Sequence, residues 1–128
     1  MPHRTRRWAV VGILGASALG FGALAVTATA AKTATLKLSA DPSGALKFSV
    51  SSLTVSKPGK VTLAMRNPSP LPHNIAVKGK GIKTTLGKIV GKGGTSRITV
   101  TLKKGTYTFY CSVPGHAAAG MKGTLVVK

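Results

Sequence analysis

Four side chains in this sequence have the types and spacing to hold a soft transition metal. Cys111 is the only cysteine, and His116 and Met121 follow it in Gly105-Thr-Tyr-Thr-Phe-Tyr-Cys111-Ser-Val-Pro-Gly-His116-Ala-Ala-Ala-Gly-Met121. A second imidazole is available from His73, in Pro70-Leu71-Pro72-His73-Asn74-Ile75; the one other histidine, His3, stands near the N-terminus. Two imidazoles, one thiolate and one thioether are the donors of a trigonal copper site with a weak axial sulfur. Such a donor set binds copper in both oxidation states, so an electron can leave with little ligand rearrangement. A buried site offers no open position for substrate, which favours electron transfer over catalysis.

Taken singly, each residue has an ordinary explanation. A lone buried cysteine is usually a small hydrophobe, and a lone methionine is ordinary core. What carries the reading is their conjunction on elements that can aim them together. Successive strand residues face opposite sides of a sheet. Cys111 shares parity with Tyr107 and Phe109, His73 with Ile75 and Val77, and Met121 with Leu125 and Val127. These three therefore point toward the core, each at one end of a strand, and His116 sits in the loop that closes the pocket.

The positioning elements read as β throughout residues 31–128. Apolar and polar residues alternate in Thr35–Ser39, Ala45–Val50, Leu53–Val55, Val61–Arg66, Asn74–Val77, Thr95–Leu102, Thr106–Cys111 and Lys122–Val127. Turn signals separate them at Asp41-Pro42-Ser43-Gly44, Lys57-Pro58-Gly59, Asn67-Pro68-Ser69-Pro70 and Lys103-Lys104-Gly105. Residues 78–94 are the least regular part and read as a connecting segment. Many short strands with no sustained helical periodicity predict an all-β, two-sheet Greek-key sandwich.

Residues 1–30 read as a signal peptide or an N-terminal membrane anchor. Arg4, Arg6 and Arg7 precede an uncharged run from Trp8 to Ala31, which contains Ala28-Thr29-Ala30, a cleavage-type pattern. The run is also long enough to span a bilayer, and Arg6-Arg7 is loosely similar to a twin-arginine signal. An exported chain with one unpaired thiol requires that thiol to be buried or occupied.

Sixteen of the 19 basic residues lie in residues 31–128 against a single acid, Asp41, so that segment carries a formal +15. The balance suits an anionic membrane or cell-wall surface, or an acidic protein partner. The lysines are spread through turns and strand edges without a basic helix and with little aromatic interleaving, which disfavours nucleic acid. One acid leaves no carboxylate pair and no serine, histidine and aspartate set, so the chain is not expected to be an enzyme.

From residue 45 onward the sequence resembles the cupredoxins, the blue-copper proteins with the fold of plastocyanin and azurin. The likeness is strongest at Pro72-His73-Asn74 and from Gly105 to Gly123. The Cys-x4-His-x4-Met spacing is similar to that of rusticyanin, auracyanin and sulfocyanin. The resemblance implies one type 1 copper ion held by His73, Cys111, His116 and Met121, with Met121 the weak axial ligand. It also implies that Asn74 ties the two ligand-bearing loops together and supports the thiolate. Electrons would pass at His116 through an apolar patch of Pro114, Gly115, Ala117, Ala118 and Ala119, with Leu71 and Pro72 nearby, docking a redox protein with an acidic surface; the chain itself is expected to be a monomer. Two other functions fit the residues: a copper storage or delivery protein, and a metal-free cationic domain bound to a wall or membrane.

Overall fold

The computed structural model describes residues 22–27 and 32–128. The signal or anchor expected for residues 1–30 lies outside the described residues except for 22–27, which are exposed and without regular secondary structure. Eight strands follow: β1 (Ala34–Ser39), β2 (Ser52–Val55), β3 (Gly59–Arg66), β4 (Ala76–Lys78), β5 (Thr85–Leu86), β6 (Thr95–Leu102), β7 (Gly105–Tyr110) and β8 (Lys122–Val127). No helix among the described residues is long and apolar enough to cross a membrane.

The strands form two sheets, one in the order β1-β3-β6 and one in the order β2-β8-β7-β4-β5. Successive strands repeatedly change sheet. Two neighbouring pairs, β1 with β3 and β2 with β8, are consequently parallel, while β3–β6, β7–β8, β4–β7 and β4–β5 are antiparallel. Both sheets turn an apolar face inward. Tyr107 and Phe109 of β7 and Leu125 and Val127 of β8 meet Val61, Leu63 and Met65 of β3 and Ile98 and Leu102 of β6 in one core. The alternation that marks these strands in the sequence is the alternation of their burial.

Three segments depart from the expected strands. Ala45–Val50 alternates in burial as a strand would, and Phe48 packs its ring 5.7 Å from that of Phe109. Yet it pairs only through an isolated bridge between Phe48 and Ala40. Alternation there records one buried face, not a ladder partner. Conversely, the stretch read as a plain connection contains β5, a two-residue edge strand on β4. The strand expected from Asn74 begins only at Ala76, and the preceding His73 makes an isolated bridge with Val90.

The register fixes two ends of the sandwich. The ends of β2, β6 and β8 and the starts of β1, β3 and β7 lie at one pole. The opposite pole holds the end of β7, the start of β8 and the approach to β4. Residues 73, 111, 116 and 121 all belong to that second pole.

Candidate metal centre

His73 is delivered by a loop whose backbone accounting closes. In Asn67-Pro68-Ser69-Pro70-Leu71-Pro72-His73, three prolines remove three donors, and every remaining N–H finds an acceptor. The Asn67 N–H donates to Gly94 O at 2.8 Å, Ser69 N–H to Asn67 Oδ1 at 3.0 Å, Leu71 N–H to Ser69 Oγ at 3.1 Å, and His73 N–H to Val90 O at 3.1 Å. Asn67 Nδ2 also donates to Leu71 O and Val90 O, at 2.8 and 2.9 Å. Side chains two residues back thus replace the ladder the prolines forbid. The outcome is a stiff loop, fully buried at Asn67, Ser69 and His73.

The other three residues come from the end of β7, the loop after it, and the residue before β8. Cys111 N–H donates to Met121 O and Met121 N–H donates to His116 O, both at 3.0 Å. One backbone circuit therefore joins all three positions. Within the loop His116 N–H donates to Val113 O, and Ala119 N–H to Gly115 O. Gly115 has φ of +82° immediately before His116, a conformation that favours glycine. Cys111 and Met121 are fully buried, and His116 is partly exposed.

The three ligand-type atoms converge. His73 Nδ1 and His116 Nδ1 are 3.1 Å apart, and Cys111 Sγ lies 3.9 Å from the first and 3.6 Å from the second. A triangle with these sides has a point about 2.1 Å from all three corners, a normal length from a first-row metal to nitrogen and about 0.2 Å short of the usual length to sulfur. Two nitrogens, one sulfur and a buried methionine on the same circuit fit copper better than a hard cation, which prefers oxygen ligands. The sequence parity argument holds for Cys111 and Met121. It carries no information for His73, because residues 73–77 are all buried.

The surroundings suit neutral imidazoles. Burial pushes the His73 pKa down, and the neighbouring His116 adds to the shift. His73 Nε2 stands 3.1 Å from Ser69 Oγ; with its proton donated there, the Nδ1 lone pair faces Cys111 and His116. Asn74, buried beside His73, spans the two loops. Its Oδ1 accepts from Ser112 N–H at 2.7 Å, and its Nδ2 donates to Ser112 Oγ at 2.7 Å and Gly87 O at 2.9 Å. Sequence reasoning missed Asn67 and Ser69, reading their segment only as a turn. The signal was present in the alternation of short polar residues with proline.

A two-sheet β-sandwich with this donor set at one pole defines the cupredoxin class. Residues 34–128 match the sequence profile of copper binding proteins of the plastocyanin/azurin family, and the chain belongs to that family. Over 38 residues it is 50% identical to rusticyanin of Acidithiobacillus ferrooxidans, covering 30% of this chain and 24% of that protein. Over 45 residues it is 47% identical to azurin of Pseudomonas fluorescens biotype C, covering 32% of this chain and 34% of that one. The matches thus span well under two thirds of these curated relatives. Among solved structures, dithionite-reduced auracyanin of Roseiflexus castenholzii superposes with a TM-score of 0.62 at 28% identity, over 73% of this chain and 96% of that one. Auracyanin A of Chloroflexus aurantiacus, a "blue" copper protein, gives 0.63 at 27% identity, over 76% of this chain and all of that one.

Proposed function

We propose that residues 31–128 form a mononuclear blue-copper electron carrier, with His73, Cys111, His116 and Met121 as ligands. Bound copper supplies a one-electron Cu(II)/Cu(I) couple. The carrying observation is the burial of three donors with one ring at the surface: His73, Cys111 and Met121 are enclosed, and only His116 is partly exposed. Enclosure keeps substrate and water out, which supports a carrier over an enzyme. It also supports retention of the metal over delivery to another protein. His116 is the natural exit for an electron. Around it Pro114, Gly115, Ala118 and Ala119 are exposed, uncharged and small, and Leu71 and Pro72 are exposed on the adjoining loop. This is a surface for brief docking of a redox protein, with the surrounding basic charge steering an acidic partner toward it. Residues 1–30 direct or tether the domain outside the cytoplasm.

The test is copper loading. One equivalent of Cu(II) is expected to produce an intense visible thiolate-to-copper band that bleaches on reduction and returns on reoxidation. A weak ligand-field spectrum, or binding of several ions per chain, would overturn the assignment.

Ser69 gives a second expected outcome, because its hydroxyl meets both His73 Nε2 and Leu71 N–H. In Ser69→Ala the buried His73 Nε2 loses its partner, at about 1–3 kcal/mol, and the part-buried Leu71 N–H loses its acceptor at a smaller cost. Freed from that contact, the imidazole holds its tautomer and orientation less well, and copper affinity should fall about 10–100-fold. Competition with a calibrated chelator reads the affinity, and denaturant unfolding of the copper-free protein reads the stability. Wild-type values in both would remove Ser69 from the site.

A further inference from the structure

The fold gathers lysines that the sequence disperses. Lys57 lies in the β2–β3 turn, Lys60 at the start of β3, Lys103 and Lys104 in the β6–β7 turn, and Lys128 after β8. The register brings these positions together at the pole opposite the ligand residues, where Val55 pairs with Val127, Gly59 with Leu102 and Gly105 with Val127. Lys80 joins them: with Lys103 and Lys104 it lines a shallow cleft floored by Ile82 and Tyr107. Lys32 lines a neighbouring cleft with Lys57 and Lys60. All seven are exposed. The only acid, Asp41, follows the other end of β1, where it pairs with Lys47 at 3.5 Å.

We propose that this lysine pole docks on a membrane surface of anionic lipid headgroups and holds the His116 end away from the bilayer. Three observations converge on a lipid occupant. The pole carries seven lysines and no carboxylate side chain to oppose them. The chain enters the sandwich here, at Lys32, immediately after the uncharged run Trp8–Ala31; an N-terminus held at a membrane therefore brings this pole against the headgroups. The clefts present lysine ammonium groups, point charges on flexible stems that suit a laterally mobile array of phosphates. They carry no arginine fork, and the one aromatic ring in their linings, Tyr107, is buried at 5% exposure and offers no open face for stacking a base. Each lysine beside an anionic bilayer multiplies partitioning by about fivefold. The proposal does not depend on the copper reading, since the lysines and their placement are the same with or without metal.

The test uses residues 32–128, which contain every strand and the whole core among the described residues. Copper-free protein is sedimented with vesicles of phosphatidylcholine containing phosphatidylglycerol, and with phosphatidylcholine alone. Binding is expected only to the anionic vesicles. A variant with Lys57, Lys60, Lys103 and Lys104 each changed to Gln should lose about 600-fold in partitioning, the product of four fivefold steps. A control of equal charge, with Lys47, Lys88, Lys92 and Lys122 changed to Gln at the opposite pole, should stay within about fivefold of wild type. Hydrogen exchange of the bound protein should show protection at residues 56–60 and 102–106 and none at 112–119. Equal losses in the two variants would overturn the proposal, as would equal binding to neutral vesicles. Tighter binding to duplex DNA with the same lysine dependence would reassign the pole to nucleic acid. The copper-loaded spectrum is independent of all these outcomes, so failure here leaves the electron-carrier reading in place.

Discussion

Replacing Cys111 with serine is expected to abolish the intense visible band completely while leaving the sandwich folded. The two effects separate because Sγ has one chemical role and one structural role. Chemically, the thiolate is the only anionic donor in the cluster. A serine hydroxyl stays neutral at any working pH, and its oxygen lacks the soft, high-lying electrons that give copper(II) its charge-transfer colour. Structurally, Cys111 is buried and behaves as a small side chain whose Sγ lies 3.6 Å from His116 Nδ1. A hydroxyl fits the same volume and can donate to an imidazole nitrogen, so stability of the copper-free protein should change by no more than about 1–2 kcal/mol. Copper titration followed by absorption, with denaturant unfolding of the copper-free form, measures both. A blue Cys111→Ser protein would remove the thiolate from the site. An unfolded one would show that Cys111 is held for packing.

Much of this centre was legible because it is local. Cys111, His116 and Met121 fall within a short stretch, so their spacing and the strand parity on either side already aim two of them inward. His73 was legible by elimination, as the one histidine outside that stretch and the N-terminal segment. The loop that holds it was not. Asn67 and Ser69 look like turn residues, and that their side chains cap the N–H groups between prolines appears only when each donor is followed to its acceptor. The strands were recovered where burial alternates and a ladder follows, as in β6, β7 and β8. Ala45–Val50 misled because alternation tracks burial, whatever the pairing. β5 is too short to leave any pattern. The lysine pole could not be foreseen either, because turns far apart in sequence meet only through the pairings of strands distant in the chain, β2 with β8 and β3 with β6.

A large stability effect away from the ligands is expected at Gly123. It sits opposite Phe109 in the β7–β8 register. A Cβ there would overlap the edge of the Phe109 ring and approach Ser51 O to 2.6 Å. The ring cannot retreat easily: Phe109 is fully buried, and Phe48 packs against it. The carbonyl cannot retreat either, since it accepts the Thr124 N–H at 2.9 Å, which ties the segment before β2 to β8. Overpacking of this kind costs about 1–3 kcal/mol, and two rigid neighbours put Gly123→Ala at about 3 kcal/mol. For a domain of this size that lowers the midpoint of thermal unfolding by roughly 10–20 °C. A double-mutant cycle isolates the cause. In a Phe109→Leu background the ring edge is gone, so Gly123→Ala should cost about 1 kcal/mol less than in wild type, the remainder belonging to the Ser51 carbonyl. Strict additivity, or a single mutant within about 0.5 kcal/mol of wild type, would show that the strand yields at Gly123. Phe109 lies two residues before Cys111 and Gly123 two after Met121, so the close contact of ring and glycine sets how near β7 and β8 run where they hand over to the ligand loop. Copper should therefore protect the variant less than it protects wild type, by an amount equal to the loss of affinity.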